Sequence, residues 1–405
     1  MKLAAPGGPH LTYCTNVHPG EAWGEVRAVL ERDVAAVKAR VAPDRPFGLG
    51  LRLSARAAAE LAGPGALDEL RTLLAERGLY VFTLNGFPYG AFHGPRVKEA
   101  VYRPDWLEEA RLEYADRLAW LLAALLPAEP GLEGSVSTVP GAFRARAGSE
   151  ADLAAMADRL LRHAATLHRI REATGRTIVL ALEPEPCCAL ETVADAVGFF
   201  ERWLFAAGAV ARLAALTGLS RAASEAALRR HLGVCLDACH LAVEFEEPAA
   251  ALAAFEAAGI RVAKVQLSAG LAATLSARDR GLVEALAALA GGPYLHQVVE
   301  RRPEGLVRYA DLPEALAALA ADPTGARREW RIHLHVPLFG EALGPFRSTQ
   351  GWLRELLARL RQRPASAHLE VETYTWTVLP AEYRAESLAA ALARELEWVQ
   401  RALAP

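Results

Sequence analysis

Short apolar runs recur along the chain, and each is followed by a longer stretch of helical periodicity. The strand-like runs are Leu11–Asn16, Phe47–Ser54, Tyr80–Asn85, Ser135–Val139, Ile178–Glu183, Gly233–Asp237, Val262–Ser268, Leu295–Glu300, Arg331–Val336 and Leu369–Thr375. They are rich in Val, Leu, Ile, Thr and aromatics and are bounded by Gly, Pro or polar residues, as strands are. Helical patterns fill most of the gaps, among them Glu21–Ala39, Pro104–Leu126, Ser149–Thr174, Thr192–Ala215 and Ala381–Leu403. Regular strand–helix alternation predicts an α/β chain with a parallel sheet. Two strands end on carboxylates, Leu180-Ala-Leu-Glu183 and Val234-Cys-Leu-Asp237. A buried carboxylate is costly unless it binds something. Strand ends that converge on one place predict a (β/α)8 TIM barrel, with its site at the C-terminal mouth.

Ten candidate strands exceed eight barrel positions. Pairing Tyr294–Glu300 with Gly305–Tyr309 across Arg302-Pro-Glu-Gly305 resolves part of the excess as a late β-hairpin insertion, within 293–310. Either the strand near 333 or the strand near 371 then closes the barrel. Extended loops after Asn85 and His240 are expected over the same face. The chain shows no repeat, low-complexity tract or linker, so one domain over 1–405 is expected.

The chain has 405 residues, 52% hydrophobic and 23% charged, enough for a large core and unlike a disordered chain. A formal net charge of −3, with Lys only at positions 2, 38, 98 and 264, argues against nucleic acid as a partner. Five cysteines without a regular framework argue against a disulfide scaffold. No apolar signal segment follows Met1, and Leu118–Leu126 is too short to span a bilayer and reads as a buried helix. These features predict a cytoplasmic protein with no membrane insertion, and leave a homo-oligomer open.

Alternate residues of a strand share a face. Glu183, Asp237, Gln266, His335 and Glu372 therefore read as a ring of oxygen and nitrogen ligands at the mouth, suited to Mn, Mg, Co or Zn. A strand-end Glu also serves as a loop cap or ion-pair partner, and His333-x-His335 also fits a core role. Glu370 and Glu372 on one face need a cation or a proton between them. Asp237-x-x-His240 places both side chains over the mouth. Asn16, Arg52, Asn85, Phe87, His93, His240 and His333 are candidate substrate contacts. Thr83-Leu-Asn-Gly-Phe-Pro-Tyr-Gly-Ala-Phe-His-Gly94 joins an amide, aromatics and His, which suits a sugar-like or polyol ligand. No P-loop, G-x-G-x-x-G after a strand, H-E-x-x-H or G-x-S-x-G is present.

Leu180-Ala-Leu-Glu-Pro, Cys235-Leu-Asp-Ala-Cys-His240 and Leu369-Glu-Val-Glu372 resemble the xylose-isomerase-like TIM barrels of sugar isomerases and epimerases. A closer resemblance is to the EboE group of metabolite traffic proteins. It rests on His10–Glu21, Gly50-Leu-Arg-Leu-Ser54, Thr83–Tyr89, Val265-Gln-Leu-Ser268, His333-Leu-His-Val-Pro337 and Val371–Trp376. The resemblance implies a divalent metal held by Glu183, Asp237 and Glu372, with Gln266 standing where a His ligand is usual. It also implies a setting in metabolite export or secondary metabolism. The expected chemistry is isomerisation or epimerisation of a sugar-like or polyol metabolite through an enediolate stabilised by the ion. Glu183 and Glu372 would move the proton, and His240 would hold a substrate oxygen. Two alternatives are a binding protein without turnover and a metal-dependent hydrolase of a small phosphate ester, the latter using Arg52, Arg96 or Arg103.

Overall fold

The alternation of strands and helices closes into a ring. A computed structural model describes residues 1–94, 97–322, 324–379, 384 and 386–404. Arg96 lies outside the described residues. Seven parallel strands follow in order: β1 (His10–Tyr13), β2 (Phe47–Arg52), β3 (Leu79–Asn85), β4 (Gly134–Thr138), β5 (Ile178–Leu182), β6 (Leu232–Asp237) and β7 (Arg261–Leu267). Six antiparallel strands come next: β8 (Ala269–Leu275), β9 (Val298–Arg302), β10 (Gly305–Tyr309), β11 (Arg328–Val336), β12 (Ala342–Leu343) and β13 (Phe346–Ser348). The chain then returns to the barrel as β14 (His368–Val371), which lies between β7 and β1. A parallel bridge from Cys14 to Gly50 joins β1 to β2 and closes the ring.

The strand near 371 is therefore the eighth barrel strand. The strand near 333 belongs to the insertion. The expected hairpin exists, with Gly305 opposite Arg302 and Tyr309 opposite Val298, but it is one edge of a six-stranded sheet ordered β10-β9-β11-β8-β13-β12. Sequence periodicity missed β8 because Ala269-Gly-Leu-Ala-Ala-Thr-Leu275 is short of β-branched residues. Its strand state comes from tertiary pairing with β11.

The helices outside the ring follow ordinary end rules. The helix Glu150–Thr174 starts with a capping box between Ser149 and Asp152 and stops at Gly175, whose φ of 70° is left-handed. It buries Leu160, Leu161, Leu167 and Ile170. Leu118–Leu126 lies within or just after the helix Glu109–Leu125, mostly buried, as its apolar pattern predicts. No helix among the described residues is long and apolar enough to cross a membrane.

The barrel interior departs from the usual filling of bulky branched side chains. Thr83 Oγ1 lies 2.8 Å from Ser135 Oγ, which lies 2.8 Å from His368 Nδ1. Nearer the mouth, Lys264 Nζ lies 2.5 Å from Glu370 Oε1, both fully buried. Room for that pair comes from Gly50, where a Cβ would fall 1.7 Å from Glu370 Oε2.

Candidate metal centre

The C-terminal mouth gathers carboxylates from three strands. Glu183 follows β5, Asp237 ends β6 and Glu372 follows β14, and all three are buried. One ligand oxygen from each lies within 4.8 Å of the others. Asp237 also caps the short helix Ala238–Val243: its Oδ1 accepts from Cys239 N (2.7 Å), His240 N (3.1 Å) and Ser268 Oγ (2.7 Å). Its Oδ2 is buried with no hydrogen-bond partner, as is Glu183 Oε2. Glu372 Oε1 accepts from Asn16 Nδ2 at 2.8 Å and Asn85 Nδ2 at 2.9 Å.

Burial, then the charges of Glu372 and Asp237, holds Glu183 well above the ordinary carboxylate range. Glu372 is raised in the same way by burial, then by Asp237 and Glu370. Burial would also raise Asp237, but His240, His335 and the Ser268 hydrogen bond bring it below its usual value. Burial lowers His240 to about 4 and His333 well below the usual imidazole value.

His333 and His335 reach the same place from β11 of the inserted sheet. His333 Nε2 lies 3.1 Å from His240 Nε2 and 3.2 Å from His335 Nε2. The cavity they share holds about 60 Å³ of free volume. That is room for an ion and a few waters, far below the usual small-molecule site. Phe87, Phe92, Tyr102, Tyr294 and Tyr374 complete its walls.

Other predicted residues lie elsewhere. Gln266 pairs in register with Asp237 and Glu370, but its Oε1 accepts from Cys235 Sγ at 3.2 Å and it is absent from the cavity wall. Arg52 is absent from that wall too. It grips Glu21 with both terminal nitrogens (2.8 and 3.0 Å) and also bonds Gly20 O and Gly90 O, so it ties loops together. Arg103 pairs with Glu108 on the surface. His93 Nε2 donates to Asn16 O at 2.6 Å and so buttresses Asn16 from behind. Asn16 and Asn85 do line the cavity, with their amides directed at Glu372.

Glu185 and Gln297 are among the cavity residues that escaped the sequence reading. Glu185, in Glu183-Pro-Glu185, has its Oε1 bonded by Tyr102 OH at 2.7 Å and its Oε2 unpartnered, and burial raises it to about 8. Its signal was a second carboxylate just past a strand end. Gln297 donates to Tyr102 OH at 2.7 Å and receives His333 Nδ1 at 2.9 Å. Nothing local in the sequence marks it.

The sequence matches no protein-family model and no curated protein. Solved structures do match. A xylose isomerase-like TIM barrel protein from Mycobacterium smegmatis, in complex with magnesium, has TM-score 0.50 and 12% identity, over 98% of this chain and 96% of that one. IOLI protein with a binding zinc atom has TM-score 0.45 and 11% identity, over 97% of each chain. The probable 3-DHS dehydratase AsbF involved in petrobactin synthesis, from Bacillus anthracis, has TM-score 0.42 and 13% identity, over 96% and 97%. The chain thus shares the (β/α)8 TIM-barrel fold of the magnesium-bound M. smegmatis protein.

Proposed function

We propose that the chain is a divalent-metal-dependent isomerase or epimerase of a sugar-like or polyol metabolite. One observation carries this reading: Glu183, Asp237 and Glu372 converge while Glu183 Oε2 and Asp237 Oδ2 are buried without any donor. Such oxygens call for a cation. The magnesium complex of the M. smegmatis barrel supports the same assignment.

A bound ion would polarise vicinal substrate oxygens and lower the acidity barrier at the adjacent carbon. The chain's residues supply the rest. Asn16 and Asn85 fix Glu372 Oε1, so that carboxylate keeps one orientation. Glu183 and Glu372 follow different strands, β5 and β14, and each carboxylate can accept and return a proton. The aromatic side chains that narrow the cavity would have to part to admit a sugar-sized substrate. The wall's Lys98 is paired with Asp311 at 2.7 Å and Arg52 points away, which disfavours a phosphate ester as substrate.

The reading includes the EboE group, with its setting in metabolite export or secondary metabolism, supported by the segments from His10 to Trp376. It also takes the chain as one cytoplasmic domain. Incubation with a panel of aldoses, ketoses and cyclic hydroxyketones in deuterated water, with and without Mg²⁺ or Zn²⁺, tests it. Metal-stimulated loss of a C–H proton signal is expected. Tight metabolite binding with no exchange would contradict turnover and favour a binding protein.

A further inference from the structure

Three imidazoles sit beside the carboxylate cluster, and the chemistry above leaves them unused. Their hydrogen bonds fix where each carries its hydrogen. His240 Nδ1 lies 3.0 Å from Pro184 O, His335 Nδ1 lies 2.6 Å from Glu372 O, and His333 Nδ1 lies 2.9 Å from Gln297 Oε1. Each partner is a carbonyl oxygen, which only accepts, so each Nδ1 must donate. Gln297 is oriented by its own bonds, since its Nε2 donates to Tyr102 OH (2.7 Å) and Pro186 O (3.3 Å). A ring whose single hydrogen is on Nδ1 presents a bare lone pair at Nε2.

Those lone pairs face one another. The Nε2–Nε2 separations are 3.1 Å for His240–His333 and 3.2 Å for His333–His335, with all three rings buried. No hydrogen of these rings is available to lie between them, so the contacts repel unless something positive occupies the gap. The nearby ammonium groups are already used: Lys264 by Glu370 and Lys98 by Asp311. Asp237 and Glu185, each with one oxygen that has no hydrogen-bond partner, stand beside the same rings: Asp237 Oδ1 lies 3.9 Å from His240 Nε2, and Glu185 Oε1 lies 3.5 Å from His333 Nδ1. Ligand atoms of Asp237, His240 and His335 lie within 4.8 Å of one another, and so do those of Glu185, His240 and His333. The Nδ1–carbonyl bonds are the outer-shell arrangement that orients imidazole ligands.

We infer that His240, His333 and His335 hold a second divalent cation, separate from the ion of Glu183, Asp237 and Glu372 and linked to it through Asp237. The inference rests on the preceding reading only for the first ion. Imidazole donors select Zn²⁺ or Co²⁺ over Mg²⁺, whereas the carboxylate trio suits harder ions. Two of the three rings come from β11, so the inserted sheet supplies a ligand set that the barrel strands lack.

Chelator-stripped protein, reloaded with Zn²⁺ and Mg²⁺ and counted by mass spectrometry, tests this, with Co²⁺ absorption as a second readout. Two ions per chain are expected, with a visible Co²⁺ ligand-field band from the nitrogen-rich site. His333→Gln should remove one ion and the band while keeping the other ion, and Glu372→Gln should do the reverse. His240→Gln serves if His333→Gln does not fold, as judged by circular dichroism. One ion per chain, lost in Glu372→Gln and kept in His333→Gln, would overturn the second site alone and fit a proton shared among the rings. No bound ion at all would overturn both sites.

Discussion

Asn85 donates to Glu372 Oε1 at 2.9 Å, joining the end of the third barrel strand to the end of the eighth. The same amide nitrogen reaches Cys14 Sγ at 3.3 Å, so it is held from two sides. Outer-shell bonds of this kind orient a ligating carboxylate. Asn85→Leu keeps the volume and removes the donor. Divalent-ion affinity should fall about 10–100-fold with little change in fold, read by chelator competition beside circular dichroism.

The buried Lys264–Glu370 pair predicts a stability effect. The Lys264 ammonium, 2.5 Å from Glu370 Oε1, compensates the charge of that buried carboxylate. Lys264→Met should destabilise by about 3–5 kcal/mol, because an unpaired buried carboxylate remains. The double variant with Glu370→Gln should recover most of that loss. Urea unfolding of both proteins measures it.

Gly50 gives a related prediction. A Cβ there would lie 1.7 Å from Glu370 Oε2 and 2.9 Å from Tyr13 O, so Gly50→Ala must displace the ion pair. A cost of about 1–3 kcal/mol is expected from overpacking. A thermal melt checks it.

The raised carboxylates predict pH dependence in two opposite senses. In ion-free protein, Glu183 and Glu372 hold protons that the unfolded chain releases near its ordinary value. Above that value the folded state binds more protons than the unfolded one, so stability falls as pH rises through the raised range. Ion binding needs both groups deprotonated, so affinity should strengthen as pH rises and protons should be released. Calorimetry in buffers of different ionisation enthalpy counts the protons. Affinity independent of pH would contradict the assignment.

The barrel and its acidic tips were legible because the signals are local. Apolar runs ending at Glu183 and Asp237 sit on β5 and β6 as their pattern implied. The positions of Arg52 and Gln266 were not legible. Arg52 finds Glu21 across 31 residues, and Cys235 claims the Gln266 amide across the sheet. Periodicity carries no information about such partners. The inserted sheet was only partly legible, since a hairpin has a turn signal and the long-range pairing of β8 with β11 has none. For the same reason His333 and His335 could be assigned to one face but not to the neighbourhood of His240.

Anomalous diffraction from crystals grown with Mn²⁺ tests the central claim most directly. The account predicts a peak at the barrel mouth, with oxygens of Glu183, Asp237 and Glu372 at coordination distance. A mouth without a peak at saturating Mn²⁺, with those carboxylates hydrogen-bonded to water instead, would contradict it.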